Sequence, residues 1–336
     1  MRTAELDYEL PEAAIAQQPI EPRHASRLLD TRDLTDNTFI DLPGLLEPGD
    51  LVVVNTTRVR RARLRGTRDG TGGSVEALLL ERIGDRRFSA LVRPARRLRS
   101  GVLVRFGTVE GRVLTDPVDG RVELEIGGSG DVEAVIETVG EMPLPPYINH
   151  PIDDAARYQT IYGNRPGSSA APTAGLHISE QVLAVLKSRE IEVAAVDLEV
   201  GLDTFRPITT DRVGEHTIHR ERYRLPIETA ERVVETREGG GRVVAVGTTA
   251  VRVLETAALV GGRVEPGEGT TDLFILPGFR FQVVDLLVTN FHLPRSTLVA
   301  LIAAFIGPGW RRVYATALQR GYRFLSFGDA MLAARQ

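Results

Sequence analysis

The sequence predicts an α/β body with an inserted small β-barrel domain, and three observations carry that reading. Strands and helices alternate from about residue 146 onward. Short β-rich runs separated by turns fill residues 63–130. A proline-rich stretch, "EMPLPPYI" at 141–148, marks the return from one pattern to the other. The expected division is residues 1–62 and 146–336 for the α/β domain and 63–145 for the barrel. A chain of 336 residues, 42% of them hydrophobic, can supply a core for each.

Taken in order, residues 11–17 after Pro11 suggest a short helix, and "DLVVVNTT" at 50–57 a buried strand. The runs "SVEALLLERI", "RFSALVRP", "GVLVRF", "GRVLT" and "RVELEI" follow, divided by turn signals such as "DGTGG" and "DPVDG". Strands at that spacing suggest a small barrel or sandwich. A helix over 131–140 ends at Gly140. Beyond the hinge, helices are expected at "DDAARYQTIYG" and "SEQVLAVLKSRE", then a strand at "IEVAAVDLEV". Next come a helix at "IETAERVVETREG", a strand at "RVVAV" and a helix at "TTAVRVLETAALV". Strands at "DLFIL" and "QVVDLLVTN" and helices at "STLVALIAAFIG" and "GWRRVYATALQRG" complete the body.

Composition removes several function classes. There is no cysteine, which excludes disulfide frameworks, thiolate metal sites and cysteine nucleophiles. The most apolar run, "LVALIAAFI" at 298–306, is too short to span a bilayer, and the N-terminus lacks a signal core. The expectation is a cytoplasmic protein with no membrane partner. Lys187 is the only lysine and sits in a helical pattern with a polar face, so Schiff-base chemistry has no candidate. Neither phosphate-binding glycine motif is present, and no G-x-S-x-G elbow supports a hydrolase.

Charge is segregated. From Arg58 to Arg105 there are fourteen arginines against four acidic residues, a balance of +10 in a chain whose net charge is −4. A basic β module on an acidic body suits a nucleic-acid backbone, although an arginine-rich solvated surface accounts for the same count.

Three polar loops follow apolar segments and are where chemistry can sit. In "GSSAAPTAGLHI" a turn through Thr173 and Gly175 brings His177 up to a helix that Ser179 can cap; a tight turn with a packed histidine is the plainer alternative. In "VAVGTTAVRVLE" a strand ends at Gly247 and a helix opens with Thr248 and Thr249, with Arg252 one turn on. Ligands of open α/β sheets collect at such strand ends, and a plain capped helix fits equally well. In "VTNFHLPRSTL" a buried strand runs into Asn290, Phe291 and His292, a set suited to a small-molecule pocket or to a structural histidine. Asp272 opens "DLFIL" and can bind a ribose or cap a turn. His216 and His219 are three apart, with no third ligand nearby, so no metal is expected.

The blocks "YELPEAAIAQQP", "GDLVVVNTTRV", "MPLPPYI", "YQTIYGNRPGSSAAPTAGLH", "RVVAVGTTAVRVLE", "VDLLVTNFHLPRSTL" and "YRFLSFGDAML" occur in this order and span the chain. Together they resemble the S-adenosylmethionine:tRNA ribosyltransferase-isomerase family of queuosine biosynthesis. The resemblance implies transfer and isomerisation of the ribosyl part of S-adenosylmethionine onto 7-aminomethyl-7-deazaguanine at the tRNA wobble position. Epoxyqueuosine-tRNA forms, and adenine and methionine leave. It further implies S-adenosylmethionine as co-substrate with no cofactor or metal, tRNA as partner, and a monomer.

On this reading His177 handles the proton and His292 assists or binds. Thr173, Gly175, Gly247, Thr248, Thr249, Arg252, Asp272, Asn290 and Phe291 are expected to bind substrate. One block departs from the family pattern: "LEVGLDTF" at 198–205 has Glu199 where the family shows histidine, and Leu202-Asp203 where it shows Ala-Gly. Glu199 is then a candidate substitute base. The departure motivates two alternatives, a paralogue using another acceptor and a non-catalytic RNA-binding paralogue. Retained His177, Asn290 and His292 speak against the second.

Overall fold

The computed structural model describes all residues except 151, 153, 202–206, 219 and 259–262. By its contacts the chain divides into two compact units, residues 1–58, 145–165 and 171–336 in one and residues 59–144 with 166–170 in the other.

The helix expected over 11–17 is reduced to a 3-10 turn, Glu12–Ala14. Long-range pairing takes the backbone groups that a helix would need: Ala16 N–H donates to the Phe324 carbonyl and Phe324 N–H to that of Ala14. Strands β1 (Arg27–Asp30) and β2 (Thr35–Thr38) then form a hairpin that the sequence reading missed, because "TDNT" is polar and exposed. Helix α1 (Leu42–Leu45), β3 (Leu51–Asn55) and β4 (Thr57–Val59) follow.

The second unit contains β5 (Arg63–Arg68), β6 (Ser74–Arg82), β7 (Arg87–Arg93), β8 (Leu103–Phe106), β9 (Val109–Val113) and β10 (Arg121–Ile126). Antiparallel pairing runs through all six, and β5 also pairs with β8, which closes a barrel. Alternation along each strand turns Leu64, Leu79, Phe88 and Val92 inward and Arg65, Arg87 and Arg93 outward. Helix α2 (Val132–Val139), capped by the Asp131 carboxylate, packs Val132 and Ile136 into the same core. Two short strands, β11 (Gly140–Glu141) and β12 (Arg165–Ser168), come next.

The body continues with α3 (Glu180–Ser188), β13 (Glu192–Leu198), β14 (Glu221–Leu225), α4 (Ile227–Glu238), β15 (Val243–Val246) and α5 (Thr248–Ala258). It ends with β16 (Gly267–Thr271), β17 (Leu286–Asn290), α6 (Thr297–Ile306), α7 (Trp310–Gln319) and β18 (Ala330–Ala334). The nine-stranded sheet has the order β16-β14-β13-β3-β15-β17-β18-β1-β2. Its central strands β13, β3, β15 and β17 are parallel. Val52, Val54, Val244 and Val246 share one face with Val182 and Leu186 of α3, while Val53 and Ala245 are equally buried. Burial on both faces explains why these strands read as unbroken apolar runs. Helix α6 is buried along most of its circumference, which accounts for "LVALIAAFI".

Two strand expectations and one helix shift. "DLFIL" is not a strand: pairing stops at Thr271, upstream of it. The Arg252 guanidinium takes the Thr271 and Leu273 carbonyls instead, and the Leu273 N–H turns to the Thr271 hydroxyl. "QVVDLLVTN" is a strand only from Leu286, because the N–H groups of Gln282, Val283 and Val284 donate to the buried Glu255 carboxylate. The helix expected over 153–163 is a 3-10 turn, Ala155–Tyr158, with the Asp154 carboxylate accepting from Ala156 N–H. Among the described residues no helix is long and apolar enough to cross a membrane.

Candidate active site

The parallel strands β15 and β17 run in register, Val246 beside Val288, so their following loops emerge at one edge of the sheet. Gly247 turns the chain from β15 into α5 with φ +89°, a conformation that favours glycine. The first turn of α5 presents backbone N–H groups that have no partner within the helix. The 3-10 turn Thr173–His177 lies alongside, against β17.

These loops line a cleft with two adjoining lobes. Val200, Thr248, Thr249 and Leu298 border both. The first lobe is walled by Thr173, Gly247, Asn290, Phe291 and His292, with Tyr147, Leu325 and Ser326 opposite. The second is walled by Leu198, Ile218, Leu273, Ile275, His216, Glu221 and Arg252. At the junction the Thr249 hydroxyl is buried and has no hydrogen-bond partner. A buried hydroxyl without a partner is costly, and its residue borders both lobes.

His292 faces the first lobe. Its Nε2 lies 3.2 Å from the Thr289 hydroxyl, and its Nδ1 lies 3.3 Å from the Tyr314 hydroxyl, which also accepts the His292 N–H. A hydroxyl both gives and takes a hydrogen, so either neutral tautomer is satisfied without movement of the ring. Burial lowers the imidazole pKa to about 3, so the ring is uncharged at neutral pH.

His177 does not border the cleft. Asn290 Nδ2 donates to its Nε2 at 3.1 Å, and its Nδ1 lies 2.8 Å from the Ser26 hydroxyl, which itself donates to the Arg23 carbonyl. Those contacts fix the hydrogen on Nδ1 and occupy the lone pair on Nε2. Burial, with further contributions from Arg323, Arg157 and Arg23, lowers its pKa to about 3. The ring stacks on Phe39. The cleft is reached by Asn290, whose Oδ1 accepts from the Thr173 hydroxyl at 3.0 Å. His177 thus stands behind Asn290 and outside the lining of the cleft.

The remaining expected residues divide. Arg252 faces the second lobe, ion-paired with Glu221, both side chains buried. Phe291 forms part of the first lobe's wall, but its ring is stacked on Phe324. Gly175 lies outside the cleft, where a Cβ would meet the Tyr162 hydroxyl at 2.1 Å; it is there to let that ring approach. Asp272 is on the surface beside Arg220, its side chain 62% exposed. Glu199 lines a separate, more open cleft with Asp197, Arg222 and Arg224. In extended chain successive side chains alternate, so Leu198 and Val200 face the two-lobed cleft and Glu199 faces away. Asp203 and His219 lie outside the described residues. Among the described residues no cluster of three metal-ligating side chains occurs.

Sequence reasoning missed Tyr147, Ser326, Thr289 and Tyr314. The Tyr147 hydroxyl lies 2.7 Å from that of Ser326, and burial raises its pKa, which keeps it protonated. The signal was present, since Tyr147 and Ser326 sit inside "MPLPPYI" and "YRFLSFGDAML".

Residues 3–333 match the family described as Queuosine biosynthesis protein. The S-adenosylmethionine:tRNA ribosyltransferase-isomerase of Heliobacterium modesticaldum is 50% identical, with 99% of each chain covered. That of Symbiobacterium thermophilum is 48% identical, again over 99% of each. A crystal structure of S-adenosylmethionine tRNA ribosyltransferase from Thermotoga maritima matches with TM-score 0.55 and 38% identity, covering 98% of this chain and 99% of that one. With agreement over its whole length, this chain belongs to the queuosine biosynthesis protein family.

Proposed function

We propose that this chain is an S-adenosylmethionine:tRNA ribosyltransferase-isomerase and that the two-lobed cleft is where S-adenosylmethionine reacts. The observation that carries the placement is the Thr249 hydroxyl, buried and unpartnered at the junction of the lobes. The ribose, which carries hydroxyls of its own, belongs there. Adenine takes the first lobe, between apolar walls and the Asn290 amide, and the methionyl chain takes the second.

In the reaction the acceptor amine of 7-aminomethyl-7-deazaguanine in tRNA bonds to a ribosyl carbon. The carbon–sulfur and glycosidic bonds break, releasing methionine and adenine, and the transferred unit isomerises to that of epoxyqueuosine. The sulfonium is positive and acidifies the hydrogens on its neighbouring carbons. A neutral His292 meets that cation without repulsion, and its hydroxyl contacts on both sides let a proton enter at one nitrogen as another leaves at the other. General acid–base help of this kind is worth about 10²–10⁴-fold. His177 holds Asn290 in place, and Asn290 orients the adenine. The exposed arginines 93, 96, 97 and 99 of the barrel unit are the proposed contact with tRNA phosphates.

The test is a single-turnover incubation of the protein with S-adenosylmethionine and tRNA carrying the aminomethyl-deazaguanine, following free adenine and the mass of the nucleoside. Adenine release with a matching gain in nucleoside mass supports the reading. Binding of S-adenosylmethionine with no release on this tRNA would refute the acceptor.

A further inference from the structure

Arg252 and Glu221 form an ion pair whose side chains are 9% and 5% exposed. Taking two charges out of water costs more than an isolated pair returns, so burial alone gives such a pair no clear stabilising purpose. Here each charge is held by backbone groups. Arg252 donates to the carbonyls of Leu273 and Thr271, and Glu221 accepts the Gly201 N–H at 2.7 Å. A guanidinium carries five N–H donors, and these contacts use three of them. Both residues border the second lobe, whose other walls include Leu198 and Ile275.

A positive and a negative group fixed side by side at the end of an apolar slot complement one ligand chemistry in particular. A lone anion drawn to Arg252 is repelled by Glu221, and a lone cation meets the converse. A group carrying carboxylate and ammonium on one carbon satisfies both. Thr249 and Arg252 are three apart on α5 and so share one face, about 5–6 Å between Cβ atoms.

We propose that the second lobe is an α-amino-acid subsite in which Arg252 binds the carboxylate and Glu221 the ammonium of the methionyl end. The subsite rests on the placement of S-adenosylmethionine in this cleft. Methionine therefore leaves from a site that recognises it, and free L-methionine competes with S-adenosylmethionine.

Calorimetric titration of the wild-type protein tests this with three probes: S-adenosylmethionine, its decarboxylated analogue and its analogue lacking the α-amino group. Each deletion should weaken binding by about 10–100-fold, as expected for hydrogen bonds to charged groups. In Arg252→Lys the penalty for losing the carboxylate should shrink, and in Glu221→Gln that for losing the amine. If a variant fails to fold, the wild-type comparison stands alone. Analogues that bind within twofold of S-adenosylmethionine overturn the subsite and leave the cleft assignment intact. Failure of S-adenosylmethionine itself to bind overturns both.

Discussion

Replacing Thr249 by valine separates stability from function. The Thr249 hydroxyl is buried at the meeting point of the two lobes and has no partner. Valine keeps the branched shape and removes the oxygen. A buried unsatisfied polar group costs about 1–3 kcal/mol. A gain of about 1 kcal/mol in the ligand-free protein is the working figure, or about 2–4 °C in Tm for a unit of this size. In the complex the same hydroxyl bonds the ribose, so its loss weakens S-adenosylmethionine binding by about tenfold, one ordinary hydrogen bond. Thermal unfolding with and without S-adenosylmethionine measures both. The variant should melt higher alone, and its ligand-induced gain in Tm should be smaller. A variant that melts lower alone and keeps the full ligand-induced gain would show that the hydroxyl faces no ligand.

Three further outcomes are expected. His177 and His292 are buried uncharged with pKa values near 3, below the ordinary 6.5. The unfolded chain therefore binds protons that the folded one refuses between those values, and stability falls as pH drops from about 6.5 toward 3. The loss is about 2 kcal/mol per histidine between pH 7 and 5; urea unfolding at the two pH values should show it, and His177→Gln should abolish its share. His292→Gln should lower single-turnover kcat by about 10²–10⁴-fold with little change in S-adenosylmethionine affinity, whereas an unchanged rate would remove it from proton transfer. Arg96 and Arg97, exposed on the 3-10 turn Ala95–Arg97 of the barrel unit, should, when both are replaced by Glu, raise the KM for tRNA and flatten its salt dependence. The S-adenosylmethionine affinity of that double variant should stay as it was.

What the sequence revealed follows from how local each feature is. The barrel strands announce themselves through alternation of period two, and β3 and β15 through apolar runs bounded by turns. The hairpin of β1 and β2 does not, because its second strand is polar and is held by pairing rather than by burial. "DLFIL" has a strand's composition, yet the carbonyls around it are claimed by Arg252, twenty-one residues from Leu273 in the chain. The site shows the same division. Residue type drew attention to the loops at Gly247 and His292, both of which line the first lobe. It did not distinguish His177, whose ring is committed to Ser26 and Asn290, from His292, whose ring faces the cleft. Nor did residue type reveal that Glu199 faces away from Leu198 and Val200, a matter of parity along an extended chain. The departure at 199 consequently lies in the second, more open cleft and not against the proposed S-adenosylmethionine site.

The most direct test of the account is a crystal structure of the protein with bound S-adenosylmethionine. Adenine in the lobe of Asn290 and His292, ribose on the Thr249 hydroxyl and the amino-acid end at Arg252 is the predicted result. S-adenosylmethionine seated instead among Asp197, Glu199 and Arg224 would contradict it.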